Sequence, residues 1–188
     1  QGIEKTFNFA LRASAAAQKV NIDLSKKLFG KVMEAFGGRL CKLICGGAAI
    51  RPELISTFRS IGVEIVQGYG ITECSPRVSV NSPKDSDYRT VAYPLPCLEV
   101  KVDEPDEDGI GEICVKGDTV MLGYYKKPEQ TAEAIVDGWF HTGDYGYMNK
   151  KGQLLITGRK KNIIVLDNGK NIYPEELETR LSKFSEIG

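Results

Sequence analysis

The segment GYGITE, at residues 68–73, places three side chains of different chemistry within five consecutive residues. The ring of Tyr69 can stack on a nucleobase, the hydroxyl of Thr72 can bond a phosphate oxygen, and the carboxylate of Glu73 suits Mg²⁺. Gly70 lets the backbone approach a flat ring closely. A plain glycine-rich loop with a helix-capping threonine explains the same spacing. The spacing alone therefore leaves a Mg²⁺-nucleotide site and a structural loop as equal alternatives.

Standard phosphate-binding signatures do not describe this segment. Glu73 occupies the third glycine position of a dinucleotide fingerprint, and the chain has no Walker-type phosphate loop. A second glycine-rich segment, GGAAI at residues 46–50, also follows an apolar run. Open α/β sheets bind ligands beyond the carboxyl ends of their strands, so both segments are candidate ligand-binding loops.

Two later segments carry further charged candidates. In GWFHTGD, residues 138–144, Asp144 follows a Thr-Gly pair that predicts a tight turn, and its carboxylate could hold two ribose hydroxyls. In GRKK, residues 158–161, the guanidinium of Arg159 can reach ribose or phosphate. Taken alone, each segment is better explained by structure, as an aspartate that closes a turn and as a solvated basic stretch.

The single tryptophan and the single histidine both lie in GWFHTGD. Trp139 is better explained as a core residue than as a ligand. His141 invites a general-base role, but shaping its own loop is the preferred interpretation. Because no Cys-x-x-Cys pair exists and His141 stands apart from any cysteine pair, the sequence predicts buried reduced thiols and no metal-ligand cluster. The five cysteines are Cys41, Cys45, Cys74, Cys97 and Cys114.

The composition resembles that of an ordinary globular domain with a real core, at 188 residues. Because 25 Lys and Arg residues balance 25 Asp and Glu residues, no net field favours nucleic acid or an anionic membrane surface. No apolar run is long enough to span a bilayer, and we expect a cytoplasmic protein. The chain runs from Gln1 to Gly188, and we expect both ends to be cuts in a longer polypeptide.

The first half of the chain alternates helix and strand signals. Apolar residues at helical spacing predict a helix over 25–36, and Pro52 predicts the start of a second helix that Gly62 ends. The apolar runs at 40–45 and 63–66 predict two strands, the first of them buried. Strand, helix and strand at this spacing imply a parallel βαβ unit.

After about residue 80 the pattern changes to short strands separated by glycine and aspartate turns, which predicts a small barrel or a curled antiparallel sheet. Helices are expected to begin at Pro128 and Pro174, and an Asn-Gly pair at 168–169 signals a hairpin turn. The buried face of the last helix is expected to carry Leu177, Leu181 and Phe184. The predicted strands cover residues 98–103, 111–117, 139–148, 153–157 and 163–166.

Five blocks stand in order along the chain: GGAAI (46–50), GYGITE (68–73), GEICVKG (111–117), GWFHTGD (138–144) and GRKKNIIVLDNGKNIYPEELE (158–178). This series resembles the adenylate-forming superfamily, which includes acyl-CoA synthetases, firefly luciferase and peptide-synthetase adenylation domains. An ordered series is far more specific than any one block, and it covers nearly all of the chain from about residue 25. The GKNIYPEELE run most resembles the long-chain fatty acyl-CoA synthetases.

The resemblance implies a ligase that works in two steps. The superfamily joins a carboxylate to ATP, giving acyl-AMP and pyrophosphate, and a thiol, usually that of CoA, then displaces AMP to form a thioester. A carboxylate is a poor electrophile and its mixed anhydride with phosphate is a good one, so the site must stabilise charge on the α-phosphate. The implied partners are a carboxylic acid (a fatty acid for the long-chain branch), ATP, Mg²⁺ and CoA, with neither nucleic acid nor a transmembrane segment.

The resemblance assigns the two glycine-rich loops to the nucleotide. Gly46, Gly47 and Ala48 would flank the adenine and the acyl pocket. Tyr69 would lie against the adenine, with Gly70 beside it in the nucleotide-binding loop.

The resemblance assigns the polar side chains to phosphate, metal and ribose. Thr72 would bond the α-phosphate and Glu73 would hold Mg²⁺, which gives both a catalytic role. Asp144 would bond the ribose hydroxyls, and Arg159 would contact the ribose too.

Two residues of the last block are assigned to the second half-reaction. Lys161 would be the catalytic hinge on which the small domain turns between the half-reactions. Gly169 would line the thiol tunnel in the thioester-forming state.

The implied fold is α/β: a partial parallel βα sheet, then a small β-barrel subdomain, then the start of a small α+β C-terminal domain. Residues 1–157 would be the C-terminal part of the large adenylation domain, with the βα segment at about 1–80 and the barrel at about 85–157. Residues 158–188 would begin a truncated small domain. Two alternative functions stay open: an enzyme that adenylates an acyl or amino acid to load a carrier protein, and a nucleotide-binding or structural fragment without catalysis.

The resemblance also places essential groups outside this sequence. The superfamily's Ser/Thr/Gly-rich phosphate loop would lie upstream, and its adenylation lysine would lie beyond Gly188. Because losing one preorganised charge-stabilising donor typically costs about 10²–10³ in rate, we predict that this chain by itself has no measurable ligase activity. An acyl-CoA formation assay on the purified chain checks this, and product formed at near-parent rates would contradict it.

Overall fold

The computed structural model describes residues 2–48, 50–81, 89–167 and 171–181. The chain forms two compact units, residues 1–68 with 81–89 and residues 69–80 with 90–188. The mixed α/β class expected from the sequence is confirmed. The helices are α1 (Gly2–Lys19), α2 (Ser25–Ala35), α3 (Pro52–Ser60), α4 (Pro128–Ala134) and α5 (Pro174–Leu181). The strands are β1 (Lys42–Cys45), β2 (Glu64–Tyr69), β3 (Ser79–Val80), β4 (Tyr93–Pro94), β5 (Leu98–Asp103), β6 (Gly111–Gly117), β7 (Ile135–Val136), β8 (Trp139–Met148), β9 (Leu154–Arg159), β10 (Ile164–Val165) and β11 (Asn171–Ile172).

Helix α1, which the sequence analysis did not predict, closes one end of helix α3. The last carbonyls of a helix have no partner within it. Ser14 Oγ donates to the carbonyl of Ser60 at 2.7 Å, and Gln18 Nε2 donates to the carbonyl of Arg59 at 2.9 Å. Helix α1 therefore satisfies backbone groups of α3 in addition to packing apolar side chains against the unit's core.

The predicted parallel βαβ unit is confirmed by β1, α3 and β2. Strands β1 and β2 pair in parallel, with Lys42 opposite Glu64 and an ion pair of 3.3 Å between these side chains. Helix α3 begins at Pro52, as predicted, and the left-handed Gly62 (φ +95°) turns the chain into β2.

The prediction that β1 is buried is wrong. Side chains of a strand alternate between the two faces of the sheet. Leu43 packs towards the core formed by Phe29, Ile61 and Val63, whereas Ile44 on the other face is 65% exposed. Strand β1 lies at the end of its sheet, and the described residues of the unit leave the outer face of this strand uncovered.

The second unit is built on a curled antiparallel sheet with the strand order β5-β6-β8-β7, and β9 pairs with β8. Strand β6 is buried over residues 111–115 because it lies between β5 and β8. The predicted strands and the curled antiparallel sheet are confirmed for this unit. Its core consists of Cys74, Val78, Leu98, Ile113, Val115, Phe140 and Leu154.

The residues after β9 pack against it through the start of α5. Asn162 Nδ2 donates to Glu175 Oε1 at 2.6 Å, and the rings of Tyr145 and Tyr173 lie 6.5 Å apart. The prediction that Leu177 and Leu181 are buried is wrong: these side chains are 49% and 46% exposed. Only the first turn of α5 meets the sheet, so its apolar stripe has no cover among the described residues.

Some predicted features lie outside the described residues or are confirmed only in part. Residues Asn168, Gly169 and Phe184 lie outside the described residues. The predicted boundaries near residues 80 and 157 stay predictions. Burial of the thiols is confirmed for Cys74 and Cys114 only, because Cys41 and Cys97 are exposed and Cys45 is half-buried. Within the described ranges, no helix combines the length and the apolar character that crossing a bilayer requires.

Candidate nucleotide site

Three residues that are distant in the sequence meet in the second unit. Tyr69 ends β2, Asp144 lies in β8, and Arg159 ends β9. The hydroxyl of Tyr69 donates a hydrogen bond to Oδ2 of Asp144, and Nε of Arg159 lies 2.7 Å from Oδ1. Both oxygens of the buried carboxylate therefore contact residues that the resemblance assigned to one nucleotide.

The pairing of β8 with β9 places the aspartate opposite the arginine. Asp144 and Arg159 are cross-strand partners in this antiparallel pair. The connecting turn is fixed by Asn149, whose Oδ1 accepts backbone N–H groups of Lys151 at 2.9 Å and Gln153 at 3.0 Å. The ion pair is thus a consequence of strand register, which shifts by one residue between Gly146 and Tyr145 and so places Arg159 rather than Gly158 opposite Asp144.

The predicted Thr-Gly turn before Asp144 is wrong, because β8 continues from Trp139 to Met148. The register shifts instead, so that three residues of β8 (142–144) face the single residue Ile113 of β6. Gly143 has a φ of +69°, a conformation that favours glycine. This β-bulge interrupts the ladder next to Asp144, while the alternation of buried and half-buried residues continues along β8.

Side chains satisfy the backbone groups that the bulge removes from the ladder. Thr142 Oγ1 donates to the carbonyl of Ile113 at 2.7 Å and accepts the N–H of Asp144 at 3.0 Å. The N–H of Gly143 donates to Oε1 of Glu112 at 3.0 Å. Buried backbone groups need such partners, so Thr142 and Glu112 make the bulge stable.

The electrostatics suit a hydrogen-bond acceptor aimed at hydroxyl groups. Burial raises the pKa of Asp144, the Tyr69 hydroxyl and Arg159 act in the opposite direction, and the charges of Glu112 and Glu73 raise it further. Burial and the charge of Asp144 raise the pKa of Tyr69 well above its ordinary value. The phenol of Tyr69 therefore stays protonated and donates its hydrogen bond to Oδ2 of Asp144.

Glu112 and Lys160 complete the support of this site, and the sequence analysis missed both. Oε2 of Glu112 accepts Lys160 Nζ at 2.9 Å and lies 3.4 Å from Nδ1 of His141. Burial acts to raise the pKa of Glu112, but the hydrogen bonds from Lys160, His141 and the Gly143 N–H outweigh it and hold that pKa below its ordinary value. A charged residue inside the buried run GEICV was the available signal, because such a residue needs partners.

Glu73 is held by a tyrosine that sequence reasoning also missed. Tyr124 OH donates to Oε1 of Glu73 at 3.0 Å, and the carbonyl of Glu73 accepts the N–H of Met121 at 2.7 Å. Thr72 is exposed and begins the short 3₁₀ turn Thr72–Cys74. The charge of Glu73 contributes to the raised pKa of Asp144, so these two carboxylates lie within electrostatic range of each other.

Gly70 has a packing role in addition to its predicted one. A Cβ at this position would lie 1.8 Å from the carbonyl oxygen of Pro76, so only glycine fits. Gly46, Gly47 and Ala48 follow β1 in the first unit, and their part in nucleotide binding stays a prediction. Lys161 is exposed in the 3₁₀ turn Lys160–Asn162, and its role as a hinge stays a prediction.

In the sequence His141 stands apart from any cysteine pair, and the structure places it beside a single cysteine. Cys114 and His141 are cross-strand partners of β6 and β8, and Sγ lies 3.4 Å from Nδ1. Trp139 is half-buried and not part of the core, with Lys101 Nζ 5.1 Å and Lys116 Nζ 5.8 Å from its ring. Sequence spacing gave no sign of either contact, since both depend on strand register.

A cavity of 530 Å³ adjoins the bulge. It is lined by polar residues that include Glu112, Tyr124, His141 and Lys160. Tyr69, Thr72, Asp144 and Arg159 are not among its lining residues, so the cavity and the Tyr69–Asp144–Arg159 cluster are neighbouring but separate features.

Comparisons with known proteins agree on one family. Residues 5–125 match the family model described as AMP-binding enzyme. A long-chain-fatty-acid–CoA ligase of Salmonella typhimurium is 44% identical over 133 residues, which are 67% of this chain and 23% of that protein. Long-chain-fatty-acid–CoA ligase 1 of Homo sapiens is 38% identical over 159 residues, which are 80% of this chain and 23% of that protein. The chain therefore spans about a quarter of the length of these relatives.

Solved structures show the same likeness. The structure of o-succinylbenzoate CoA synthetase from Bacillus subtilis in complex with ATP and a magnesium ion has a TM-score of 0.69 and 30% sequence identity. The match covers 83% of this chain and 34% of that one.

Replacing Glu112 with glutamine tests its support of the bulge. Glu112→Gln removes the charge that binds Lys160, and we expect the free energy of unfolding at neutral pH to fall by about 1–3 kcal/mol. Because the pKa of Glu112 is lowered in the folded state, this stability is present above the ordinary carboxyl value of 4.5 and is lost as pH falls through the folded-state pKa. The difference between the two proteins should therefore shrink in acid.

Urea unfolding of both proteins across this pH range measures the effect, with Glu107→Gln on the exposed 103–110 turn as the matched control. A loss of stability that does not change with pH, or an equal loss in the control, would show that the Glu112 charge is not what stabilises the bulge.

Proposed function

The chain belongs to the AMP-binding enzyme family, and on that premise we propose that it is part of an AMP-forming acyl-CoA ligase acting on long-chain fatty acids. The similarity to proteins named long-chain-fatty-acid–CoA ligases supports this substrate class. The observation that carries the proposal is the convergence of Tyr69 and Arg159 on the buried carboxylate of Asp144.

Ribose recognition would depend on Asp144. Its carboxylate is 3% exposed and is already oriented by Tyr69 and Arg159, so it would bind a diol with little reorganisation. A carboxylate accepts hydrogen bonds from two hydroxyl groups at once. Arg159, with a half-exposed side chain, would contribute guanidinium N–H donors to the same ribose.

Adenine would lie on the ring of Tyr69, which ends β2 at the carboxyl edge of the sheet. Ligands of open α/β sheets bind at such edges. The position after Tyr69 requires glycine, because a Cβ on Gly70 would clash with the carbonyl of Pro76. The resemblance alone supports the roles proposed for Gly46, Gly47 and Ala48 beside the adenine and the acyl pocket.

Phosphate and metal would be held by Thr72 and Glu73. The fit is chemically sound, because Glu73 offers a hard, half-buried carboxylate whose orientation is set by the hydroxyl of Tyr124. When bound, Mg²⁺ would neutralise phosphate charge during pyrophosphate departure. Thr72, exposed at the start of its turn, would donate its hydroxyl to the α-phosphate oxygen.

Thioester formation with CoA would use the last part of the chain. Lys161 would act as the hinge between half-reactions, and its neighbour Lys160 is anchored to Glu112 on the sheet. Because Lys160 would stay anchored to the sheet, rotation of the small domain would begin at Lys161. Gly169 would line the thiol tunnel, and the reaction would take place in the cytoplasm.

Ribose hydroxyls provide the sharpest test of this proposal. We expect the chain to bind AMP more tightly than 2′,3′-dideoxy-AMP by roughly tenfold, because hydrogen bonds to a charged group contribute about 1.5–3 kcal/mol. The Asp144→Asn variant should lose most of that preference, since its amide is a weaker acceptor. Isothermal titration calorimetry measures all four affinities.

Asp118→Asn, which changes an exposed aspartate of the same unit, is the matched control and should keep the preference. Equal affinities of the unsubstituted chain for the two nucleotides, or an unchanged preference in Asp144→Asn, would contradict the assigned ribose contact. Absence of any AMP binding would count against the nucleotide-site proposal itself.

A further inference from the structure

One face of the curled sheet gathers a thiol, an imidazole and a carboxylate from three adjacent strands. Asp103 ends β5, Cys114 lies in β6, and His141 lies in β8. One ligand atom from each lies within 4.8 Å of the other two, and Cys114 Sγ is 3.4 Å from His141 Nδ1. The register brings them together, because Cys114 is opposite His141 in β8 and opposite Lys101 in β5, and Asp103 is the next residue on the same face as Lys101.

These three groups are a donor set that suits zinc. Zn²⁺ binds thiolate, imidazole nitrogen and carboxylate oxygen at about 2.0–2.3 Å, so the donor atoms of a tetrahedral site lie roughly 3.3–3.8 Å apart. The Cys114–His141 separation of 3.4 Å already falls in that range. Strand backbones hold the donors, so only a small movement of the Asp103 side chain is needed to close the site.

We propose that Asp103, Cys114 and His141 form a binding site for a divalent transition-metal cation of the zinc type. None of the three residues is a nucleotide contact assigned above, although Nδ1 of His141 also lies 3.4 Å from Oε2 of Glu112, which supports the bulge. Three protein ligands leave the fourth position of the metal to a water molecule, as in open zinc sites. His141 also lines the 530 Å³ cavity, which gives water and the cation a route to the site.

Two groups compete with the metal for these ligands. Oε2 of Glu112 lies 3.4 Å from Nδ1 of His141. The ammonium of Lys101 lies 2.7 Å from Oδ1 of Asp103, in a pair whose side chains are 40% and 33% exposed. Exposed pairs of this kind contribute little stability, so a divalent cation can displace the ammonium. The displaced Lys101 still has the ring of Trp139, whose centroid is 5.1 Å from Nζ, as a second partner.

Charge and protons balance in the exchange. The S–H bond of Cys114 breaks, its proton goes to solvent, and the thiolate sulfur donates an electron pair to the metal. The thiolate and the Asp103 carboxylate together carry two negative charges, which neutralise the two positive charges of the cation. His141 binds as the neutral imidazole through Nδ1. Protons therefore compete with the metal, and affinity falls in acid.

Titration of the reduced chain with Co²⁺, a spectroscopic substitute for Zn²⁺, tests the proposal. We expect a thiolate-to-cobalt charge-transfer band in the near ultraviolet that saturates at one Co²⁺ per chain and disappears when Zn²⁺ is added. Cys114→Ser should abolish the band. His141→Gln should weaken Co²⁺ binding by roughly tenfold or more, because one ligand bond is lost.

Two further variants separate this site from chance metal binding. Lys101→Gln, which removes the competing ammonium, should tighten Co²⁺ binding, a result that no site elsewhere would give. Cys97→Ser removes an exposed thiol and should leave the band unchanged. Because the buried Cys114 contributes to packing, circular dichroism of Cys114→Ser verifies its fold, and His141→Gln and Lys101→Gln test the site independently of it.

Three outcomes would overturn the proposal. The first is the absence of a thiolate band at millimolar Co²⁺, and the second is a band that persists in a folded Cys114→Ser variant. The third is Co²⁺ affinity that stays the same in both His141→Gln and Lys101→Gln.

Discussion

The bulge in β8 is the constraint on which the candidate nucleotide site depends. Three residues must fit opposite Ile113, and the left-handed Gly143 makes this possible. Because the bulge places three residues opposite one, the alternation of side chains along β8 is kept and Asp144 stays on the buried side of the strand. Its carboxylate is buried and contacts both Tyr69 and Arg159. The bulge takes the Asp144 N–H out of the ladder, and Thr142 accepts it instead.

Burying the carboxylate of Asp144 costs solvation free energy, and cationic side chains at the end of β9 offset this cost. Arg159 partners Asp144 directly, while Lys160, the next residue, partners Glu112, which in turn accepts the Gly143 N–H. Two consecutive cations therefore stabilise two buried carboxylates on opposite sides of the bulge. This pattern gives a physical reason for the basic run GRKK at the end of β9. It also links the nucleotide site to the segment where the proposed hinge, Lys161, lies.

Local patterns in the sequence predicted elements well and burial poorly. Helix starts at Pro52, Pro128 and Pro174 could be predicted because proline fixes φ at the first helical position. Exposure of Ile44 could not, since an apolar residue does not reveal whether another element covers its face. Only the resemblance implied that Asp144 and Tyr69 converge, because strand register cannot be derived from the spacing of residues in the sequence. A Thr-Gly pair predicts a turn, yet here its hydroxyl and its glycine build a bulge.

The hydrogen bond from Tyr69 to Asp144 tests this account most directly, because it joins the end of β2 to β8 across 75 residues of the sequence. Since that bond lowers the pKa of Asp144, carbon-13 NMR titration of its carboxyl group should show a higher pKa in Tyr69→Phe than in the unsubstituted chain. Tyr125→Phe, which changes an exposed tyrosine, should leave it unchanged. An Asp144 pKa that is the same in all three proteins would contradict the contact and, with it, the proposed ribose site.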